Sequence, residues 1–450
     1  MTKITKIKKG LDIKLKGKAE KIFTKAERSD TYAVKPPDFQ GLTPKLQVKV
    51  DYEVKAGSPL FFDKYNPDIL FTSPVSGKVV AINRGERRRI LEVVVKADTE
   101  IKYETFMEAD PLSLKREEII KNLLKSGLWP LIRQRPYAII ANPKDEPKSI
   151  FISAFDTAPL APDNDFVVKD REEVFQKGID ALSKLTLGKI HLNIDADYPA
   201  AKVFTQAKNV QINKFKGPHP AGNIGVQIHH IDPINKGDIV WYLYPQDVIT
   251  IGLLFEKGIY DASKIVTLTG SEVKKRHYYK TMIGASIINL VENNVTKGDH
   301  RYIGGNVLTG TAISSEGYIG FYDTQITVIP EGRIPEFLGW GAPGFRKYSV
   351  SRTFFSSLTP QKEFRLDTNY HGCLRPFVMT GQYEKVFPMN ILPVHLIKSI
   401  IVEDIDQMEN LGIYEVAEED FALCEFVCTS KIEVQSIIRQ GLDLIRKEFS

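Results

Sequence analysis

The stretch from Ile150 to Ile194 constrains the fold more than any other part of the chain. Ile150–Phe155 (IFISAF) is an unbroken apolar run, as expected of a strand buried on both faces. Asp170, with Glu173 three residues later, has the spacing of an N-terminal capping box, with Asp where Ser or Thr is usual. Val174, Phe175, Ile179 and Leu182 then share one helical face up to about Leu185. Gly188 turns the chain into a second apolar strand, Lys189–Ile194. Strand, helix and strand in so short a span make a βαβ crossover, so the middle of the chain is expected to carry a parallel sheet. Further strands are expected at Asn209–Phe215, Ile239–Tyr244 and Lys264–Leu268, with a helix at Gln246–Lys257.

The flanking regions have other periods. Lys45–Val50 and Leu91–Val95 alternate, and Pro44, Gly57, Pro59, Pro74, Gly77 and Gly85 break the runs, which predicts a small all-β unit. A helix is expected over Lys115–Lys125, with Ile119, Ile120, Leu123 and Leu124 as its stripe, Gly127 as C-cap and Pro130 beyond. After Ile265 the pattern is β-rich with short helices, as in Ile265–Gly270, Met282–Glu292 and Tyr322–Ile329. The C-terminus returns to helix: Ser430 and Glu433 form a start signal, and Ile438, Leu442, Ile445 and Phe449 follow on one face. Four units result: 1–110, mainly β; 111–258, α/β; 259–335, β-rich; and 336–450, a mixed region ending in helices.

A 450-residue chain exceeds the size at which a single core stops growing. A net charge of +5, from 61 basic and 56 acidic residues, is too mild for a nucleic-acid binder. The densest basic cluster, Arg84–Arg89 (RGERRR), reads as a solvated hairpin tip. No apolar run approaches the ~20 residues that cross a bilayer. Lys3, Lys6, Lys8 and Lys9 lead into Gly10 and Asp12, where an export signal needs an apolar block. The expectation is a cytoplasmic protein that meets a membrane only through partners. Three cysteines, Cys373, Cys424 and Cys428, are too few for a disulfide framework.

Local motifs offer little catalytic chemistry. Gly339-Trp340-Gly341-Ala342-Pro343-Gly344 matches G-x-G-x-x-G, but Pro335 interrupts the segment before it and no helix is expected after it, so it reads as a loop. Cys424 and Cys428, with Cys373, cannot supply four thiolates to an iron–sulfur cluster, and the spacing of His371 and His395 does not support zinc. His219 lies in a rigid loop, Gly217–Gly222, that either presents it to a ligand or holds it against the backbone. His229 and His230 are adjacent and make a poor metal pair.

Val54-x-x-Gly57-x-x-Leu60 followed by Pro74-x-x-Gly77-x-Val79 resembles the hammerhead barrel of biotinyl and lipoyl carrier domains. The hairpin between the two motifs reads Phe62-Asp63-Lys64-Tyr65, without the methionines that flank a biotinylated lysine, so Lys64 is expected to be unmodified. Together with Ile7–Asp12, Ser126–Trp129, Gly217–Gly222, Gly339–Gly344 and Leu423–Lys431, the order of motifs resembles the A subunit of the sodium-translocating NADH:quinone reductase, over nearly the whole chain. The resemblance implies a Rossmann-like domain, a β-grasp (soluble-ligand-binding) domain after Ile265, and a place in a six-subunit complex. That complex passes electrons from NADH through flavins and iron–sulfur centres to a quinone and exports sodium, with the A subunit peripheral, cytoplasmic and associated with the B subunit.

More distantly the chain is similar to the C subunit of the Rnf complex and the flavin-binding subunit of complex I. There a glycine-rich loop follows the helix ending near this Gly127; here Trp129–Pro136 (WPLIRQRP) carries bulky side chains, too large for the backbone to approach a phosphate. The resemblance therefore implies that no cofactor is bound by this chain alone and that the isolated chain is not catalytic. Trp129, Arg133, Arg135, Tyr137 and the facing His219 are the residues expected to meet a quinone head group or a partner. The alternative is a stand-alone flavin- or NADH-dependent oxidoreductase, which would be yellow; a biotin or lipoyl carrier would show added mass on Lys64.

Overall fold

The computed structural model describes residues 4–333, 336–359 and 362–448. Lys3, Pro335 and Phe449 lie outside the described residues. The centre is a seven-stranded sheet in the order Ile4–Lys6, Gln211–Lys216, Lys189–Asp195, Ser149–Ser153, Val240–Leu243, Arg133–Arg135, Ile139–Ile140. The first five strands are mutually parallel, and the last two form an antiparallel extension. The expected crossover is present: Ser149–Ser153 leads through the helix Glu172–Ser183 to Lys189–Asp195, whose residues pair in parallel register from Ser149 with Lys189 to Ser153 with Asn193.

That helix starts differently from its sequence signal. Asp170 has φ +60 and cannot act as the cap, and Arg171 holds the N-cap position. The helix packs against Pro245–Lys257 at close range. A Cβ on Gly178 would lie 2.1 Å from the Val248 carbonyl oxygen, and one on Gly252 would lie 2.0 Å from that of Val174. Glycine at both positions lets two helix backbones share one face of the sheet. The other face is covered by the C-terminal helices Pro393–Ile401, Ala422–Val427 and Val434–Glu448. Their Ile397, Ile400, Leu423, Ile438, Leu442 and Ile445 share a core with Phe151, Val240 and Tyr242. Each such side chain contributes about 1.5–3 kcal/mol on burial. The last helix begins at Val434, not at Ser430. The Ser430 hydroxyl donates to the Pro376 carbonyl, while Glu425 accepts from the Gln435 N–H and so caps the helix from outside its own sequence.

The β unit consists of a four-stranded sheet (Thr31–Val34, Ile90–Ala97, Gly77–Arg84, Glu53–Val54) and a three-stranded one (Pro44–Leu46, Pro59–Asp63, Leu70–Thr72). Val54, Leu60, Phe61, Phe71, Val79, Val93 and Val95 fill its core. Gly77 is required where it stands: its φ is +154, and a Cβ would meet the Lys96 carbonyl oxygen at 1.9 Å. Arg84–Arg89 is the exposed turn between two long strands. A helix, Arg116–Ser126, follows and ends on Gly127 at φ +74. A six-stranded mixed sheet comes next in the order Thr311–Ile313, His300–Gly304, Gln325–Pro330, Ser263–Thr269, Tyr278–Met282, Phe23–Lys25. Residues 4–6 and 23–25 thus serve the second and third units and not the barrel, because Ile4–Lys6 and Phe23–Lys25 are edge strands of their sheets. No helix among the described residues is long and apolar enough to cross a membrane.

Candidate functional site

Parallel sheets bind ligands beyond the carboxyl ends of their strands, where the strand order reverses. Here that point lies between Ser149–Ser153 and Val240–Leu243, since the chain runs outward from the first strand in one direction and adds the fourth on the other side. The crevice is filled by this chain's own residues 417–421. Arg135, fully buried on the antiparallel strand, donates through Nη1 to Asp420 at 2.9 Å and through Nη2 to Glu419 at 2.7 Å. Asn223, at the start of the helix Ile224–Ile231, donates to the Glu419 carbonyl at 3.1 Å. A Cβ on Gly225 would lie 2.5 Å from both Asp420 carboxylate oxygens, so Asp420 packs against the first turn of that helix. The partial positive charge of a helix start favours an anion there, and Asp420 supplies one from the chain itself.

Burial pushes the Asp420 carboxyl up to about 6, against the pull of Arg135 and the Ala417 N–H. Burial opposes the Arg135 charge as well, but the two carboxylates outweigh it and raise the guanidinium further. Beneath this closure a buried polar chain runs from Asn193 to Gln227 at 2.8 Å and from Gln227 to the Ser153 hydroxyl at 2.8 Å, tying the strand ends to the helix.

Arg133, two residues earlier and on the same strand face, has different surroundings. Three rings enclose its guanidinium: Tyr322 at 4.4 Å, Tyr242 at 4.7 Å and Tyr244 at 5.2 Å. Its Nε is buried without a hydrogen-bond partner. Burial raises all three phenols, which keeps them neutral around the cation. The Tyr322 hydroxyl donates to the Pro130 carbonyl at 2.6 Å, pinning the third unit to the loop that precedes the arginine.

The five expected residues therefore do not form one cluster. Trp129 is withdrawn as a ligand contact: it is 0% exposed, its indole N–H donates to the Ala141 carbonyl at 2.7 Å, and its ring packs edge-on against Trp241. Arg135 is committed to two carboxylates, and Arg133 to its tyrosines. His219 is buried in the connection and not presented: its Nδ1 lies 3.1 Å from the Thr157 hydroxyl, its N–H donates to Asp12, and its carbonyl accepts from Leu11. Burial alone lowers its imidazole to about 4, so it is neutral near pH 7.

Tyr137 alone lines open space. It borders a cleft of about 520 Å³ whose walls come from the barrel (Leu42, Ile69), the antiparallel extension (Gln134, Ile139, Ile140) and the C-terminal region (Tyr414, Arg446). The Tyr137 and Tyr414 rings meet edge to face at 6.3 Å. Its lining is mixed: Leu42, Ile69, Ile139 and Ile140 give an apolar wall, while Asp63, Asp145, Asp238, Lys236 and Arg446 make the rest polar and charged. Among the described residues no group of three or more His, Cys, Asp and Glu is placed to hold a metal ion. All three thiols are free, and Cys424 and Cys428 are buried. Nothing in the spacing of Glu418-Glu419-Asp420 marked its pairing with Arg135, because the contact spans 285 residues.

The chain matches known domains in order. Residues 5–98 match the NqrA N-terminal barrel-sandwich hybrid domain, 114–260 the NqrA second alpha/beta domain, and 265–315 the NQRA C-terminal domain. Over 448 residues it is 40% identical to the A subunit of the Na(+)-translocating NADH-quinone reductase of Yersinia pseudotuberculosis serotype O:1b, covering 98% of this chain and 99% of that one. The same subunit of Rhodopirellula baltica is 39% identical over 453 residues, covering 99% and 98%. That of Neisseria meningitidis serogroup A is 40% identical over 448 residues, covering 98% and 99%. Among solved structures, an NAD+-reducing [NiFe]-hydrogenase in the air-oxidized state aligns with TM-score 0.40 and 12% identity, over 74% of this chain and 62% of that chain.

Proposed function

The chain belongs to the family of the A subunit of the Na(+)-translocating NADH-quinone reductase, and on that premise we propose that it serves the complex as a peripheral docking subunit that holds no flavin or iron–sulfur centre of its own. The observation that carries this reading is the Asp420–Arg135 closure. A carboxylate of the chain itself lies against a helix start beside the switch-point crevice, where an anionic group of a ligand would be favoured, and Arg135 holds it there. The loop after Gly127 supports the same conclusion. Trp129–Leu131 forms a tight turn with all three side chains buried, leaving no glycine backbone for a phosphate to approach.

In this reading the parallel sheet is a Rossmann-like flavin fold kept for shape, the first unit is a biotinyl/lipoyl-like barrel without a modified lysine, and the six-stranded sheet is a β-grasp domain. The subunit sits on the cytoplasmic side, chiefly against the quinone-reducing B subunit. The cleft beside Tyr137 is where a quinone head group would meet this chain, with Tyr137 and Tyr414 against the ring and Gln134 near its carbonyl oxygens.

The test uses the complex purified with and without this chain. NADH oxidation by a soluble artificial acceptor should persist without it, while quinone reduction should fall by at least tenfold. Loss of NADH oxidation would mean that electrons enter the complex by way of this chain, and the proposal would fail. For the cleft, Tyr137→Ala in the full complex should raise KM for quinone several-fold with NADH oxidation unchanged. An unchanged KM would remove the quinone from this cleft.

A further inference from the structure

The stretch 337–358 has a composition found nowhere else in the chain. Phe337, Leu338, Trp340, Phe345, Phe355 and Leu358 are each more than half exposed, and every exposed Phe or Trp among the described residues lies here. Over the same stretch the sequence has Arg346, Lys347 and Arg352 and no acidic residue. Lys347 is used internally, pairing with Glu336 and donating to the Gly339 carbonyl. Arg346 and Arg352 are exposed, and their side chains make no hydrogen bond or ion pair among the described residues.

The stretch is nonetheless organised. The Phe345 and Phe355 rings stack at 5.6 Å, the Phe355 N–H donates to the Pro343 carbonyl at 3.0 Å, and Gly344 (φ +65) takes the turn because a Cβ there would lie 2.3 Å from the Phe354 ring. Its base is rooted in the body of the protein. The Tyr348 ring packs on Phe364 and Phe426, and the Phe364 N–H donates to the Lys14 carbonyl at 2.8 Å.

We propose that this loop is a membrane-surface anchor that inserts its aromatic side chains at the headgroup level of an anionic bilayer, with Arg346 and Arg352 against the lipid phosphates. Exposed aromatics of this size are normally buried or form a binding surface. Aromatic rings beside two arginines that pair with nothing among the described residues, with the neighbouring Glu336 held by Lys347, match the bilayer interface: rings favour the headgroup depth, and each basic residue adds attraction to anionic lipid. An acidic protein surface would complement the arginines but would leave the six apolar side chains without a matching environment. The inference rests on this surface alone and holds whether or not the cleft beside Tyr137 receives quinone.

The chain supplies its own reporter. Of its three tryptophans, Trp129 and Trp241 are 0% exposed and Trp340 is 79% exposed, so a lipid-induced change in tryptophan emission reports on this loop. The isolated full chain is titrated with vesicles of phosphatidylcholine alone and of phosphatidylcholine with phosphatidylglycerol, and scored by emission and by flotation. The expected result is a blue shift and flotation with the anionic vesicles, both weakened by salt. The double variant R346E and R352E should partition roughly thirtyfold more weakly. Trp340→Phe should float normally while losing the blue shift. Three results would overturn the proposal: no shift and no flotation with anionic vesicles; binding that the charge reversal leaves intact; or a Trp340 shielded in the assembled complex but indifferent to vesicles, which would assign the loop to a protein partner.

Discussion

Replacing Arg135 with methionine should be among the most damaging single changes in this protein, and its cost should depend on pH. Arg135 and Asp420 are both 0% exposed at the side chain and 2.9 Å apart, and Glu419 bonds the second guanidinium nitrogen. Methionine keeps most of the volume but strands a buried carboxylate, and breaking such a pair from one side costs about 3–5 kcal/mol. For a unit of the size of the parallel sheet with its helices, that is a fall in Tm of roughly 6–20 °C.

The pH dependence follows from the sign of the Asp420 shift. Its folded-state value, about 6, lies above the ordinary 3.8, so the folded chain binds this proton more tightly than the unfolded one. The native protein therefore loses Asp420-linked stability as pH rises from about 4 to 6 and is level above that. Without Arg135, burial is opposed less and the folded value climbs further, so in the variant the loss continues past pH 6. Urea unfolding of wild type and Arg135→Met at pH 5 and pH 8 should show the larger deficit at pH 8, by at least ~1 kcal/mol, about one unit of further shift. Adding Asp420→Asn should recover much of it. A deficit below ~0.5 kcal/mol at pH 8, or one equal at both pH values, would refute the claim that this pair holds the crevice shut.

Three further outcomes are expected. His219 is held neutral by burial with a folded value of about 4, so its contribution is intact above about 6.5 and is lost as pH falls through the window to 4, on the order of 3 kcal/mol; His219→Gln should flatten that limb of a stability–pH curve. Gly127→Ala should destabilise the fold by ~1 kcal/mol or more, read as a lower Tm, since φ is +74 and the new Cβ would lie 2.3 Å from the Thr72 hydroxyl, which also donates to the Ser126 carbonyl. Intact-mass measurement should return the unmodified chain, because Lys64 sits exposed in a plain hairpin turn over the Tyr65 ring; an added biotinyl or lipoyl mass on Lys64 would restore the carrier reading.

The sequence disclosed those features that short-range chemistry decides. The strands at 149–153, 189–195, 211–216 and 240–243, the helices at 116–126 and 245–257, and the Gly127 cap all lie within two residues of expectation, because apolar runs, period and a left-handed glycine are local signals. What stayed hidden was nonlocal. Arg133–Arg135 read as a loop and is a strand, formed because Val240–Tyr242 offers it an antiparallel edge. Ile4–Lys6 gives no strand signal of its own and owes its conformation to Gln211–Lys216. Trp129, which looked like a ring free to stack on a ligand, is core because Trp241 and the Ala141 carbonyl claim it. The partners of the two arginines were equally hidden: the rings around Arg133 come from Tyr242, Tyr244 and Tyr322, about one hundred to nearly two hundred residues on, and the carboxylates on Arg135 from nearly three hundred residues on.

The most direct test of the account is the pigment content of the purified chain: its visible absorption spectrum, with flavin measured after denaturation and iron measured by colorimetric assay. A colourless protein with neither flavin nor iron is the predicted result, in keeping with a crevice already filled by Asp420 and Arg135. Stoichiometric flavin or iron would contradict it, and would mean that residues 417–421 move aside to admit a cofactor and that the chain itself carries electrons.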